Sequence, residues 1–207
     1  MQSTKKERVI AYIDGYNLYF GLKESGYDRY LWLNIQKLVS NLLKPHQELI
    51  AVKYFTTLVT NNAETRQRQK CYLEALNTLD LVKIFYGKFQ RERVSCGVCG
   101  NSYQSESEKM TDVNIATQIM IDLYEDNFDM AMVVSGDTDL LPPIKFVNAS
   151  KNKRAFVAFP PGRVNDAVRD AASGSLVIGR KKLADSQFQE EIEDVQGETC
   201  RRPRSWQ

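Results

Sequence analysis

Short apolar runs alternate along this chain with longer stretches in which apolar residues recur every three or four positions. Residues 9–13, Val-Ile-Ala-Tyr-Ile, form the first run and stop abruptly at Asp14-Gly15. So short and continuous a run reads as a buried strand. Residues 16–22 predict a helix that stops near Gly26, and 34–43 predict another, with Ile35, Leu38, Val39 and Leu42 at helical spacing and Pro45 closing it. The β-branched and aromatic stretch 49–58 predicts a second strand. Residues 63–79 predict a long, polar-faced helix with Cys71, Leu73, Leu76 and Leu79 inward, and 81–86 a third strand halted at Gly87. Helical period returns at 112–124 through Val113, Ala116, Ile119, Met120 and Leu123. Residues 130–134 are almost wholly apolar, as in a strand covered on both faces. A helix over 140–148 with Pro142-Pro143 in its first turn follows. A strand at 154–159 ended by Pro160-Pro161-Gly162, a helix over 165–172 and a short apolar run at 176–178 complete the pattern.

Two segments break the rhythm. Residues 88–107 hold a Cys96-Gly-Val-Cys99-Gly100 knuckle and a polar Asn-Ser-Tyr-Gln-Ser-Glu-Ser stretch, and read as an insertion or flap. Residues 186–207 turn acidic and then basic, and read as a charged, flexible tail behind one domain spanning 1–185. Strands alternating with helices place the domain in the α/β class with a mostly parallel central sheet. In such sheets ligands sit beyond the carboxyl ends of the strands, where the strand order reverses. Asp14 directly follows the first strand, and Asp137 lies three residues beyond the end of the fourth.

Composition narrows the class without naming a partner. The 207 residues are 43% hydrophobic and 26% charged, as in an ordinary globular protein, and a formal net charge of +2 is uninformative. Local charge says more. Lys151-Asn152-Lys153-Arg154, Arg180-Lys181-Lys182 and Arg201-Arg202-Pro203-Arg204 are basic clusters that form either a solvated face or contacts to phosphates. No stretch approaches the ~18 apolar residues a membrane span needs. The first residues lead straight into a strand, so no signal peptide is expected. Cysteines at 71, 96, 99 and 200 make one close pair and two distant singles, which fits a reducing cytoplasm better than a disulfide scaffold.

The candidate chemistry lies in the aspartates Asp14, Asp112, Asp137 and Asp139. Each has a plain structural alternative: a turn or helix cap for Asp14 and Asn17, a first-turn acid after Thr111 for Asp112, and a cap for Asp137 or Asp139. Two acids in Ser135-Gly136-Asp137-Thr138-Asp139, where one cap would suffice, favour a site. Carboxylates gathered about 5 Å apart repel by roughly 3 kcal/mol per pair at an effective dielectric near 20. A hard divalent cation, Mg²⁺ or Mn²⁺, removes that cost, and metal-assisted phosphodiester cleavage uses such an arrangement. The acids Asp122, Glu125, Asp126 and Asp129 read as helix surface or loop.

In order and spacing, the segments around Asp14-Gly15-Tyr16-Asn17, Glu108-Lys109-Met110-Thr111-Asp112-Val113 and Ser135-Gly136-Asp137-Thr138-Asp139 resemble the NYN-domain family, in particular its LabA-like branch, a relative of the PIN-domain nucleases. The resemblance runs over about 8–185 and includes the Phe159-Pro160-Pro161-Gly162-Arg163 turn and the Ala184-Asp185-Ser186-Gln187-Phe188 close. It implies a PIN-like three-layer α/β/α sandwich whose acidic cluster binds Mg²⁺ or Mn²⁺ for RNA cleavage. By position, Asp14, Asp112 and Asp137 would be metal-site acids, Asp139 an auxiliary acid and Asn17 a positioning group. The family's usual Glu-Lys-Gly-Val-Asp-Val is altered here, because Met110 and Thr111 stand for Gly-Val. The Cys96/Cys99 pair also resembles a feature of the branch. It is either half of a Zn²⁺ site, completed elsewhere or by a second chain in a homo-oligomer, or an incidental reduced pair.

The expectation is a cytoplasmic, metal-dependent endoribonuclease. Lys109, Arg163 and the stretch near Lys151 would steer the RNA backbone, and Tyr16 and Tyr19 would be placed to stack on a base. The alternative is a catalytically weak or inactive NYN module that binds RNA or a protein partner. An aspartyl phosphatase fits poorly, because only one Asp follows the first strand. No Gly-x-Gly-x-x-Gly follows any strand, which disfavours a dinucleotide site.

Overall fold

The computed structural model describes residues 6–59, 62–95, 97 and 99–207, with backbone alone at 89, 91–94 and 103–108. The elements run β1 (Glu7–Asp14), α1 (Gly15–Glu24), α2 (Ile35–Leu42), β2 (Gln47–Thr56), α3 (Ala63–Asn77), β3 (Val82–Tyr86), β4 (Lys88–Ser95), β5 (Ser102–Lys109), α4 (Thr111–Tyr124), β6 (Met130–Val134), α5 (Leu141–Ala149), β7 (Arg154–Phe159), α6 (Asp166–Ala171), β8 (Ser175–Val177), α7 (Arg180–Ala184), β9 (Glu191–Glu193) and β10 (Thr199–Arg201). Six strands form one sheet in the order β3-β2-β1-β6-β7-β8, and every pairing in it is parallel. The order reverses between β1 and β6, so the crevice of this doubly wound sheet opens beyond Asp14 and Val134.

Period-two alternation on β1 makes the three layers. Val9, Ala11 and Ile13 enter one core with Leu18, Leu38 and Leu76, whereas Ile10 and Tyr12 enter the other with Ile115, Ile144 and Val168. Helix starts are written in the sequence as asparagines. The side chains of Asn34, Asn62 and Asn165 accept from the backbone N–H of Lys37, Thr65 and Val168 at 2.8, 2.9 and 3.2 Å.

Within residues 88–107, read as an insertion or flap, β4 and β5 pair antiparallel as a two-stranded sheet separate from the main one. The structure departs from the sequence reading in three places. On α4, Val113 is 66% exposed and the inward face is Ile115, Ile119 and Asp122. Asp122, read as surface, is only 3% exposed. It accepts from Tyr12 Oη at 2.6 Å and pairs with Lys53 Nζ at 2.6 Å, so burial is met by two partners that lie far off in the sequence. The segment beyond 185 is folded onto the domain. There β9 and β10 form an antiparallel hairpin, and Trp206, 6% exposed, packs on Trp32 and Tyr72. A few apolar residues, Phe188, Ile192, Cys200 and Trp206, give this charged segment its purchase. Burial, with Cys71 and Glu74 beside it, pushes the Cys200 thiol up to about 12.

The basic stretch near Lys151 is committed elsewhere. Lys153 pairs with Asp126 and Asp129, and Arg154 holds Glu7 at 2.6 Å. Arg154 opens β7 opposite Met130, the first residue of β6, so this cluster lies at the amino edge of the sheet, away from the crevice.

Candidate acidic cleft

Asp14 ends β1 and caps α1, and the residue is only 5% exposed. Oδ1 accepts from Asn17 N at 3.0 Å, and Oδ2 accepts from the Ser135 hydroxyl at 3.0 Å. The second bond crosses the switch point, because the parallel register sets Ile13 beside Val134 and therefore Asp14 near Ser135. Ser135 Oγ also accepts from Asp137 N at 3.1 Å, and Asn17 Oδ1 accepts from Gly136 N at 3.1 Å. Asp14, Asn17, Ser135 and Asp137 thus form one hydrogen-bonded lattice joining the ends of β1 and β6. Tyr54 is buried nearby, and burial together with the Asp14 charge drives its phenol upward.

Gly136 makes the turn possible. A Cβ there would lie 1.8 Å from the carbonyl oxygen of Arg163, so the β6 turn and the Pro160–Arg163 turn approach too closely for any side chain. The third acid comes from the opposite layer. Met110, at φ 79°, turns the chain from β5 into α4 in the left-handed region, at the position where the resembled pattern has Gly. Thr111 then starts α4, its hydroxyl 3.4 Å from that of Thr57, and Asp112 follows.

These elements enclose a cleft of about 200 Å³ lined by Asp14, Tyr16, Asn17, Phe20, Thr111, Asp112, Asp137 and Arg163. Five expected residues, Asp14, Asn17, Asp112, Asp137 and Arg163, therefore share one cavity. Two expected residues do not. Asp139 is exposed, donates its backbone N–H to Asp137 Oδ1 at 2.9 Å, and is absent from the lining. Lys109 is exposed at the end of β5 and also outside it. Arg163 is the cation among the described lining residues, and its guanidinium pairs with Glu24 at 2.7 Å. Ser135 was not anticipated as a site residue. The signal for it was the Ser-Gly turn itself, whose hydroxyl could orient a carboxylate on the neighbouring strand. Of the cysteine knuckle, Cys96 lies outside the described residues, and Cys99 is exposed.

A second, more apolar cavity of about 290 Å³ adjoins the cleft. Tyr16 and Phe20, stacked with ring centroids 6.0 Å apart, line both; Tyr19, Tyr54, Tyr72 and Trp206 line the second alone.

Sheet order and cleft together define a doubly wound α/β/α domain with a carboxylate-lined pocket at its switch point. The family model for the NYN domain matches residues 8–179, and the chain belongs to the NYN domain family, a nuclease-type family. Its fold is PIN-like. Among curated proteins it is 24% identical over 192 residues to 6-hydroxy-3-succinoylpyridine 3-monooxygenase HspA of Pseudomonas putida, covering 76% of this chain. The alignment spans 61% of that relative's length. Among solved structures, a protein of unknown function from Vibrio parahaemolyticus shares the fold at a TM-score of 0.58 and 18% identity, over 91% of this chain and 100% of that one. Among the described residues, no helix is long and apolar enough to cross a membrane.

Proposed function

We propose that this NYN domain, of the LabA-like branch, is a metal-dependent endoribonuclease whose acidic cleft holds Mg²⁺ or Mn²⁺. The observation that carries the reading is the convergence of Asp14, Asp112 and Asp137 on one cavity from three separate elements. Oxygen donors of this kind fit a hard divalent cation. Held by these carboxylates, such an ion would activate water and neutralise charge on the scissile phosphate. The chain's own groups do the positioning. Asn17 N and the Ser135 hydroxyl hold the Asp14 carboxylate, and Asp139 N holds that of Asp137, which keeps these two donors organised before substrate arrives. Arg163 at the cleft wall offers positive charge to the phosphate backbone. Tyr16 and Phe20, between the two cavities, offer a stacking surface for a base of single-stranded RNA.

The test is incubation with end-labelled single-stranded RNA and Mn²⁺ or Mg²⁺. Cleavage abolished by EDTA and by Asp137→Asn supports the reading. Cleavage indifferent to both would sink it, and metal-independent RNA binding without cleavage would favour a regulatory module instead.

A second reading draws on the aromatic cavity. The name of the Pseudomonas relative specifies a single substituted pyridine ring, and about 290 Å³ accommodates a ring of that size. Quenching of tryptophan fluorescence by a substituted pyridine, with no effect of RNA, would favour a small-molecule enzyme.

A further inference from the structure

Away from the acidic cleft, three side chains able to ligate a metal meet where the C-terminal hairpin lies on α3, and a fourth, Cys71, borders them. Cys71 and Glu74 are three residues apart on that helix and so share a face. Cys200 is on β10, and Asp194 follows β9 at the turn of the hairpin. Ligand atoms of Glu74, Asp194 and Cys200 all lie within 4.8 Å of one another. The Cys200 thiol donates to Glu74 Oε2 at 3.4 Å, and the Cys71 thiol donates to the carbonyl oxygen of Arg201, the residue after Cys200, at 3.5 Å.

We propose that Cys71, Glu74, Asp194 and Cys200 form a structural zinc site that pins the β9–β10 hairpin to α3. Tetrahedral Zn²⁺ with bonds of about 2.0–2.3 Å places its donors roughly 3.3–3.8 Å apart, so small adjustments close Glu74, Asp194 and Cys200, and a turn of the Cys71 side chain away from the Arg201 carbonyl supplies the fourth donor. Two sulfur and two oxygen donors favour Zn²⁺ over Mg²⁺ or Ca²⁺, which avoid thiolate. The carboxylates are already steadied by outer contacts. Asp194 Oδ1 accepts from Gln196 N and Glu198 N at 2.8 and 2.9 Å, leaving its other oxygen for the ion, and Glu74 Oε1 pairs with Lys70 at 3.4 Å. The tie has a consequence for the aromatic cavity, because Trp206, a few residues beyond Cys200, forms part of its wall. The proposal is independent of the nuclease reading.

Co²⁺ added to reduced, chelator-stripped protein is the probe, since thiolate ligation gives an intense sulfur-to-cobalt charge-transfer band. The band should appear in the wild type, bleach on Zn²⁺ addition, and vanish in Cys71→Ser and in Cys200→Ser. It should persist in a Cys96→Ser/Cys99→Ser double variant and in Asp14→Asn, which separates this site from the knuckle and from the acidic cleft. Glu74→Gln, at a half-buried helix position, should weaken Zn²⁺ binding at least about tenfold with an unchanged far-UV spectrum, and so decides the matter should Cys200→Ser fail to fold. No band in the wild type, a band that survives Cys71→Ser, or loss of the band in the Cys96→Ser/Cys99→Ser variant overturns the proposal.

Discussion

Asp14→Asn separates the charge of the cleft from its architecture. An amide keeps the oxygen that accepts from Asn17 N, and Asn caps helices as well as Asp does, so the cap on α1 costs at most a few tenths of a kcal/mol. The bond from Ser135 loses its ionic acceptor, a loss of about 1 kcal/mol. Against that, removing one of three carboxylates relieves a repulsion of about 1 kcal/mol once solvent in the open cleft is allowed for. The metal-free variant should therefore unfold within about 1 kcal/mol of wild type, a Tm shift of no more than about 4 °C for a chain of this size. Under metal the two should part. At one hundred times its Kd, Mn²⁺ should stabilise wild type by about 2.7 kcal/mol, with little effect on the variant. RNA cleavage should fall about 10²–10³-fold, the usual scale for losing one electrostatic group at a reacting centre. Thermal unfolding with and without Mn²⁺, beside a single-turnover cleavage assay, reads all three quantities. If the metal-free variant lost more than about 2 kcal/mol, Asp14 would be a structural cap first. Undiminished cleavage would remove it from the chemistry.

Three further outcomes are expected. Met110→Gly should stabilise the fold by up to about 1 kcal/mol, read as a higher urea midpoint, because a side chain at φ 79° costs about 1–2 kcal/mol and glycine returns part of that as entropy; a clear loss would mean that the Met110 side chain contributes more than the backbone strain. Asp122→Asn should destabilise by about 3–5 kcal/mol by stranding the buried Lys53 ammonium, and adding Lys53→Met should recover much of that in chemical denaturation. The side-chain hydrogen bond from Arg8 lowers Asp129 from 3.8 to about 2. A depressed folded value means stability that is present above the unfolded pKa and fades as pH falls from 3.8 towards 2; Arg8→Gln should flatten that limb in acid titrations followed by circular dichroism.

The parallel sheet was legible because its strands are written as unbroken apolar runs, Val9 to Ile13 and Met130 to Val134 above all, with asparagine at several helix starts. The acids at the strand ends were legible for a related reason: a carboxylate just past such a run has nowhere to go but the carboxyl edge. What could not be read was anything decided by long-range pairing. Asp122 looks solvent-facing until Tyr12 and Lys53 are brought to it. Residues 102–109, read only as part of an insertion or flap, carry no strand pattern because a two-stranded arm outside the core need not alternate apolar with polar. Cys71 and Cys200, the distant singles of the sequence, come together only after the C-terminal hairpin has docked and set Arg201 against Cys71. Met110 shows the opposite case, a visible departure from the resembled pattern whose cost falls on backbone geometry while Asp112 stays in the cleft.

The sheet assigns different work to its two rims. Glu7–Arg154, Arg8–Asp129 and the Lys153 pairs fasten the rim where the strands begin, and the carboxylates gather where β1 and β6 finish. The ion pairs of the amino rim and the acidic cleft of the carboxyl rim therefore occupy separate territories on one scaffold. A campaign for a sturdier variant can be confined to the first territory, and the pocket, a full strand length away, should not register the change.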